Sequence, residues 1–141
     1  MPCSSCDAYL ALGANLGDRH RQLTAAVTLL TERAGKVLAL SGFYETAPWG
    51  YVSRHPFLNA ALRLETPLQP LELLAVTQQI ERELGRTDKS GVGIWHDRPI
   101  DIDILLCDRQ ILILPELILP HPQMHRRLFV LQPLAEIAPQ L

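Results

Sequence analysis

The sequence predicts an α+β fold, a ferredoxin-like α/β sandwich with a mainly antiparallel sheet and helices packed on it. Three observations carry this. Short apolar segments and two longer segments of helical periodicity follow one another as strand, helix, strand, strand, helix, strand. Mixed elements in that order suit one sheet layered with helices. The 141 residues suffice for one domain, which at this size buries roughly 70% of its unfolded surface.

The elements follow in order. Residues 1–7 are read as an N-terminal extension before a single domain over 8–141. Tyr9-Leu10-Ala11-Leu12 is a short apolar strand that runs into a turn at Gly13-Ala14-Asn15-Leu16-Gly17. Asp18 is placed to cap a helix, because its carboxylate can accept an orphan N–H of the first turn. Leu23, Ala26, Val27 and Leu30 recur on one face of that helix, and Gly35 stops it. A second strand is expected over 37–46, broken by Pro48 and Gly50, and a third over 57–64. Pro70 suits the first turn of a second helix, whose stripe is Leu73, Leu74, Thr77, Ile80 and Leu84, with Gly85 at its end. A polar loop spans 87–97 and a fourth strand 99–106. The apolar run 111–114 is followed by Pro115, Pro120 and Pro122. Residues 124–138 are expected to form one or two short helices, interrupted at Pro133.

Composition excludes several function classes. Hydrophobic residues make up 48% and charged residues 20%, unlike a disordered chain. No apolar run reaches the ~18 residues of a membrane span, so a cytoplasmic protein without membrane partners is expected. The net charge is -2, so no basic stripe for nucleic acid is implied. The three cysteines, Cys3, Cys6 and Cys107, are an odd number and argue against a disulfide framework. Cys3-Ser4-Ser5-Cys6 has the C-x-x-C spacing but no second ligand pair, so it is read as part of the extension.

The chemistry concentrates in Arg98-Pro99-Ile100-Asp101-Ile102-Asp103-Ile104-Leu105-Leu106. Side chains alternate along a strand, so Asp101 and Asp103 share one face while Ile100, Ile102 and Ile104 share the other. Two carboxylates about 6 Å apart repel by about 3 kcal/mol at an effective dielectric near 20. A divalent cation relieves that repulsion, and all-oxygen ligands favour Mg²⁺ over zinc. The alternative is an exposed edge strand with two screened aspartates. Arg86, Lys89, Arg98, His121, His125, Arg126 and Arg127 flank the pair, which suits a Mg²⁺-bound polyphosphate. Asn59 offers a donor and an acceptor to the edge of a flat heterocycle. Trp49, Phe57 and Phe129 are aromatic candidates to stack on such a ring, with an ordinary core role as the alternative for Phe57 and Phe129.

The chain resembles the 6-hydroxymethyl-7,8-dihydropterin pyrophosphokinase family of the folate pathway. The resemblance runs from Tyr9 to Leu141. It rests on Leu12-Gly13-Ala14-Asn15-Leu16-Gly17, Phe43-Tyr44-Glu45-Thr46-Ala47-Pro48-Trp49-Gly50, Phe57-Leu58-Asn59-Ala60-Ala61, Gln78-Gln79-Ile80-Glu81 and Gly85-Arg86. The strand holding both aspartates, Leu119-Pro120-His121-Pro122 and Arg127-Leu128-Phe129-Val130-Leu131 complete it. It implies transfer of pyrophosphate from ATP, the co-substrate, to the hydroxymethyl group of 6-hydroxymethyl-7,8-dihydropterin, with release of AMP. It implies that Asp101 and Asp103 hold two Mg²⁺ ions and that Arg86 and Arg98 steady the transferred phosphates. Gln78, Glu81, Trp95, Ile104, His121 and Arg127 would border ATP, with the 87–97 loop closing over it. Thr46, Trp49, Phe57, Asn59 and Phe129 would hold the pterin. Asp101 is also a candidate proton acceptor. The family usually has Gly-Pro-Arg after the loop tryptophan, where this chain has His96-Asp97-Arg98, and often an aromatic where it has Pro122. A monomer acting on these small molecules is expected.

Two rival readings stand beside this one. A nucleotidyl transferase or cyclase also places paired aspartates on a strand, but it releases pyrophosphate. A ferredoxin-like regulatory module would bind a small ligand without turnover.

Overall fold

The computed structural model describes residues 6–15, 17–46, 56–85, 99–108, 110–121 and 128–137, the side chains of 46 and 128–132 aside. The order is β1 (Cys6–Ala14), α1 (Arg19–Arg33), β2 (Lys36–Leu40), β3 (Tyr44–Thr46), β4 (Phe57–Thr66), α2 (Pro70–Glu83), β5 (Asp101–Cys107), β6 (Leu112–Ile113), β7 (Ile118–Leu119) and α3 (Leu128–Ile137). The main sheet runs β2-β4-β1-β5, with β3 also on β4, and every pairing is antiparallel. With β2 and β3 counted as one broken strand, this is the strand order of a ferredoxin-like sandwich, as the sequence predicts.

The two faces of the sheet are covered differently. Leu23, Ala26 and Leu30 of α1 and Leu73 and Ile80 of α2 pack on Leu10, Leu12, Leu62, Leu64, Ile102 and Ile104. These side chains supply most of the core, at roughly 25 cal/mol per Å² of apolar surface removed from water. On the opposite face Leu134 of α3 joins Tyr9, Ala11, Ala61 and Leu105 in a smaller cluster. The helix ends follow local chemistry. Asp18 accepts from the Arg21 N–H at 3.1 Å, as expected of the cap. Glu72 accepts from the Gln69 N–H at 2.8 Å at the start of α2, and Gly85, at φ 105, follows its end.

Four features differ from the sequence expectation. β1 begins at Cys6, so the sheet takes two residues from the segment read as an extension. The strand expected over 37–46 is split. The Ser41 N–H bonds the Ala61 carbonyl at 2.9 Å, while its hydroxyl accepts from the Ala61 N–H, also at 2.9 Å, so a side chain takes over part of the ladder. The apolar run after Asp108 folds with the following segment into a hairpin of β6 and β7. Finally, α3 continues through Pro133. A fixed φ near −65° is compatible with a helix, so one forfeited hydrogen bond and local crowding do not end it when the residue is buried, as Pro133 is.

Candidate active site

β5 forms one edge of the sheet, and its outward backbone groups are covered by two neighbours. From α2, the Glu81 carboxylate accepts the Ile102 N–H at 2.7 Å. Beyond β7, the His121 N–H donates to the Leu105 carbonyl at 2.9 Å. Covering an edge in this way prevents further strand addition and fixes the strand in place. Ile102 and Ile104 are buried in the helix-covered core, whereas Asp101 and Asp103 between and beside them are only half-buried. The register agrees. Asp101 lies opposite Gly13 and Asp103 opposite Ala11, so both carboxylates rise from the sheet face that also carries α3. The alternation then breaks. Tyr9 pairs Leu106 and Leu10 pairs Ile104, leaving Leu105 as a bulge, and Leu105 and Leu106 both pack with the α3 cluster.

A cleft of about 250 Å³ opens beside the strand. It is lined by Leu74 of α2, Ile102, Asp103 and Ile104 of β5, residues 115–118 of the hairpin, and His121. Among the residues expected at the nucleotide, it gathers Asp103, Ile104 and His121. Gln78 and Glu81 are not among its walls. Glu81 is only 7% exposed and turns to the Ile102 backbone. The hairpin wall was not singled out in the sequence, because its residues read there as an apolar run with prolines. Leu74 carried the signature of core alone.

Across β1 from the aspartates stand Asn59 and Phe57 of β4. Asn59 is only 2% exposed, a buried amide on the face opposite the main core. It lies directly opposite Gly13 on one side and Tyr44 on the other, and its Nδ2 approaches the Tyr44 carbonyl at 3.4 Å. Phe57 is half-buried and pairs in the ladder with Thr46. Two contacts fix β3 from outside. The Arg19 guanidinium donates to Glu45 and to the Pro56 carbonyl, each at 2.8 Å, and so spans from β3 to the start of β4. The Glu136 carboxylate of α3 accepts from the Gly42 N–H at 2.9 Å and from the Tyr44 hydroxyl, and that bond holds the phenol above its ordinary pKa.

Arg86, Trp49, Trp95, Arg98 and Arg127 lie outside the described residues, as does the 87–97 loop. Thr46 and Phe129 have described backbones only. Among the described residues, no three His, Cys, Asp or Glu side chains form a metal cage. Two half-buried carboxylates on one strand face match Mg²⁺, which takes one or two protein carboxylates and fills its shell with phosphate oxygens and water. Also among the described residues, no helix is long and apolar enough to cross a membrane.

Comparison with known proteins gives a consistent answer. A sequence profile of the family described as 7,8-dihydro-6-hydroxymethylpterin-pyrophosphokinase matches residues 9–139. A Porphyromonas gingivalis protein named 2-amino-4-hydroxy-6-hydroxymethyldihydropteridine pyrophosphokinase is 58% identical, over 94% of this chain and 91% of its own length. A Bacillus subtilis protein of the same name is 50% identical, over 95% of this chain and 79% of its own. Among solved structures, an HPPK-DHPS chain in complex with substrates superposes with a TM-score of 0.72 at 16% identity, over 96% of this chain. The wild-type Plasmodium falciparum HPPK-DHPS chain with pteroate gives 0.72 at 18% identity, over 93%. This chain spans 40% and 38% of those two longer chains, and the likeness establishes the fold.

Proposed function

Because the chain belongs to the 7,8-dihydro-6-hydroxymethylpterin-pyrophosphokinase family, we propose that it transfers pyrophosphate from ATP to the hydroxymethyl group of 6-hydroxymethyl-7,8-dihydropterin and releases AMP. It is a pyrophosphokinase of folate biosynthesis; the donor, the metal and the residue roles are the proposal. The observation that carries it is the placement of the half-buried Asp101 and Asp103 on one face of β5, Asp103 in the wall of the cleft and Asp101 across β1 from Asn59.

The chain's own groups divide the work. Asp101 and Asp103 would hold two Mg²⁺ ions, which would supply charge neutralisation of the polyphosphate and polarisation of the β-phosphate. Ile104 and His121 border the nucleotide with Gln78, Glu81, Trp95 and Arg127, and Glu81 also supports β5 through the Ile102 N–H. Arg86 and Arg98 pair with the transferred phosphates, where planar guanidinium groups match phosphate oxygens. Asn59 reads the polar edge of the pterin, backbone groups at Thr46 and Trp49 assist it, and Phe57 and Phe129 stack on the ring. The pterin hydroxymethyl oxygen attacks the β-phosphorus in line, the bond to the α-phosphate oxygen breaks, and AMP leaves. The hydroxyl proton is lost as the new bond to phosphorus forms, and an oxygen of Asp101 not bound to metal is the candidate acceptor. Positioning and charge neutralisation supply most of the rate, as in other phosphoryl transfers. We place this activity in a monomer in the cytoplasm, in a single domain whose sheet begins at Cys6.

The test supplies Mg²⁺, ATP and the pterin alcohol and follows the products. AMP and the pterin diphosphate are expected in equal amounts. Asp101→Ala is expected to abolish turnover at every Mg²⁺ concentration. Release of pyrophosphate would instead identify a nucleotidyl transferase, and near-normal turnover by the variant would remove the metal role.

A further inference from the structure

We propose that Gly13 is a positioning residue for the pterin, its missing side chain letting Asn59 and Phe57 close over β1 in the positions from which they hold the ring. The inference rests on the reading that Asn59 and Phe57 hold the pterin.

Three strands meet in one row at this point. Gly13 of β1 is the direct partner of Asn59 on β4 and of Asp101 on β5, so all three positions face the same side of the sheet. Adjacent strands lie about 4.8 Å apart, which sets Asn59 and Asp101 about 10 Å from each other across Gly13. A bicyclic ring read at one edge by Asn59, with its hydroxymethyl arm delivered to Asp101, has to cross the central strand of that row. The next position of β1 on this face is Ala11, which is already covered with Leu134 of α3. Gly13 is buried as well, beneath the Asn59 amide and the Phe57 ring.

The backbone does not call for glycine here. Gly13 is absent from the positive-φ positions of the described chain, which are Gly17, Gly35, Gly85 and Asp108. Inside a strand a glycine costs roughly 0.5–1 kcal/mol relative to alanine. What an alanine would meet is side chain. A Cβ built on Gly13 stands 3.0 Å from Asn59 Oδ1 and 3.5 Å from Phe57 Cδ1. The first distance is shorter than ordinary contact, and the amide it strikes is buried and hemmed by the Tyr44 and Phe57 carbonyls. One methyl group therefore pushes on both pterin-holding residues while leaving the helix-covered core untouched.

The experiment compares wild type, Gly13→Ala, Asn59→Ala and the double variant. Pterin affinity is read by fluorescence titration with a non-hydrolysable ATP analogue present, together with KM for each substrate and thermal stability. Gly13→Ala is expected to weaken pterin binding by about tenfold or more, with ATP KM within about twofold and the melting temperature unchanged or higher. In the Asn59→Ala background the same substitution is expected to have a much smaller effect, because the amide it displaces is gone. Wild-type pterin affinity in Gly13→Ala, alongside weakened binding in Asn59→Ala, would overturn the role of Gly13 and leave the pterin site standing. Equal losses for both substrates with a lowered melting temperature would also overturn it. Unchanged pterin affinity in Asn59→Ala would sink the underlying site assignment, and the inference with it.

Discussion

Ile102 carries no reactive group, yet its backbone sits between the two aspartates and is fixed by Glu81 through a 2.7 Å hydrogen bond. Removing that acceptor strands a buried N–H, at a cost of about 1–3 kcal/mol. Glu81→Ala is therefore expected to lower unfolding stability by that amount in a denaturant titration, and to slow turnover because the strand proposed to hold the metal loses its support. Glu81→Gln keeps an acceptor and is expected to recover most of both. Alanine and wild type of equal stability would remove this role. Cys107 illustrates what burial does to a thiol. It is 1% exposed, and desolvation, with smaller contributions from nearby Cys6 and Asp108, pushes its thiol from an ordinary value near 9 up to about 11. The unfolded chain thus gives up this proton at lower pH than the folded one. Stability is expected to fall as pH rises from about 9 towards about 11, less steeply in Cys107→Ala. Alkylation of Cys107 in the folded protein at pH 8 should be slow, and rapid labelling by mass spectrometry would contradict its burial.

α1 does more than cover the sheet, because its first residue holds the two ends of a segment expected to carry Trp49. Arg19 bonds Glu45 of β3 and the carbonyl of Pro56. Arg19→Ala is expected to raise the KM for the pterin severalfold while leaving the KM for ATP within about twofold, since charge-assisted hydrogen bonds orient groups locally. Equal effects on both substrates would argue against that localisation. The helices themselves were legible, because an apolar stripe at helical spacing has few other meanings. Leu23, Ala26 and Leu30 are buried as their spacing requires, and so are Leu73, Thr77 and Ile80. What was not legible depended on partners elsewhere in the chain. Ser41 breaks its strand by bonding Ala61, twenty residues away, and Pro133 sits inside a helix sustained by packing on the sheet. Neither effect leaves a periodic mark in the sequence.

For the molecule as a whole, a single sheet places the two proposed substrate sites on either side of one central strand. The alternation of Asp101, Ile102, Asp103 and Ile104 was readable because one face must be buried, which fixes where the other points. The bulge at Leu105, the hairpin wall of the cleft and the three-strand row through Gly13 were not, since pairing register is a property of two segments at once. The central claim is that the aspartate pair gathers divalent cations around a polyphosphate. Its most direct test is a Mn²⁺ titration followed by electron paramagnetic resonance, with a non-hydrolysable ATP analogue bound to wild type and to Asp101→Asn. About two tightly bound ions per wild-type chain are expected, with the loss of at least one in the variant. Equal numbers bound with equal affinity in both proteins would contradict it.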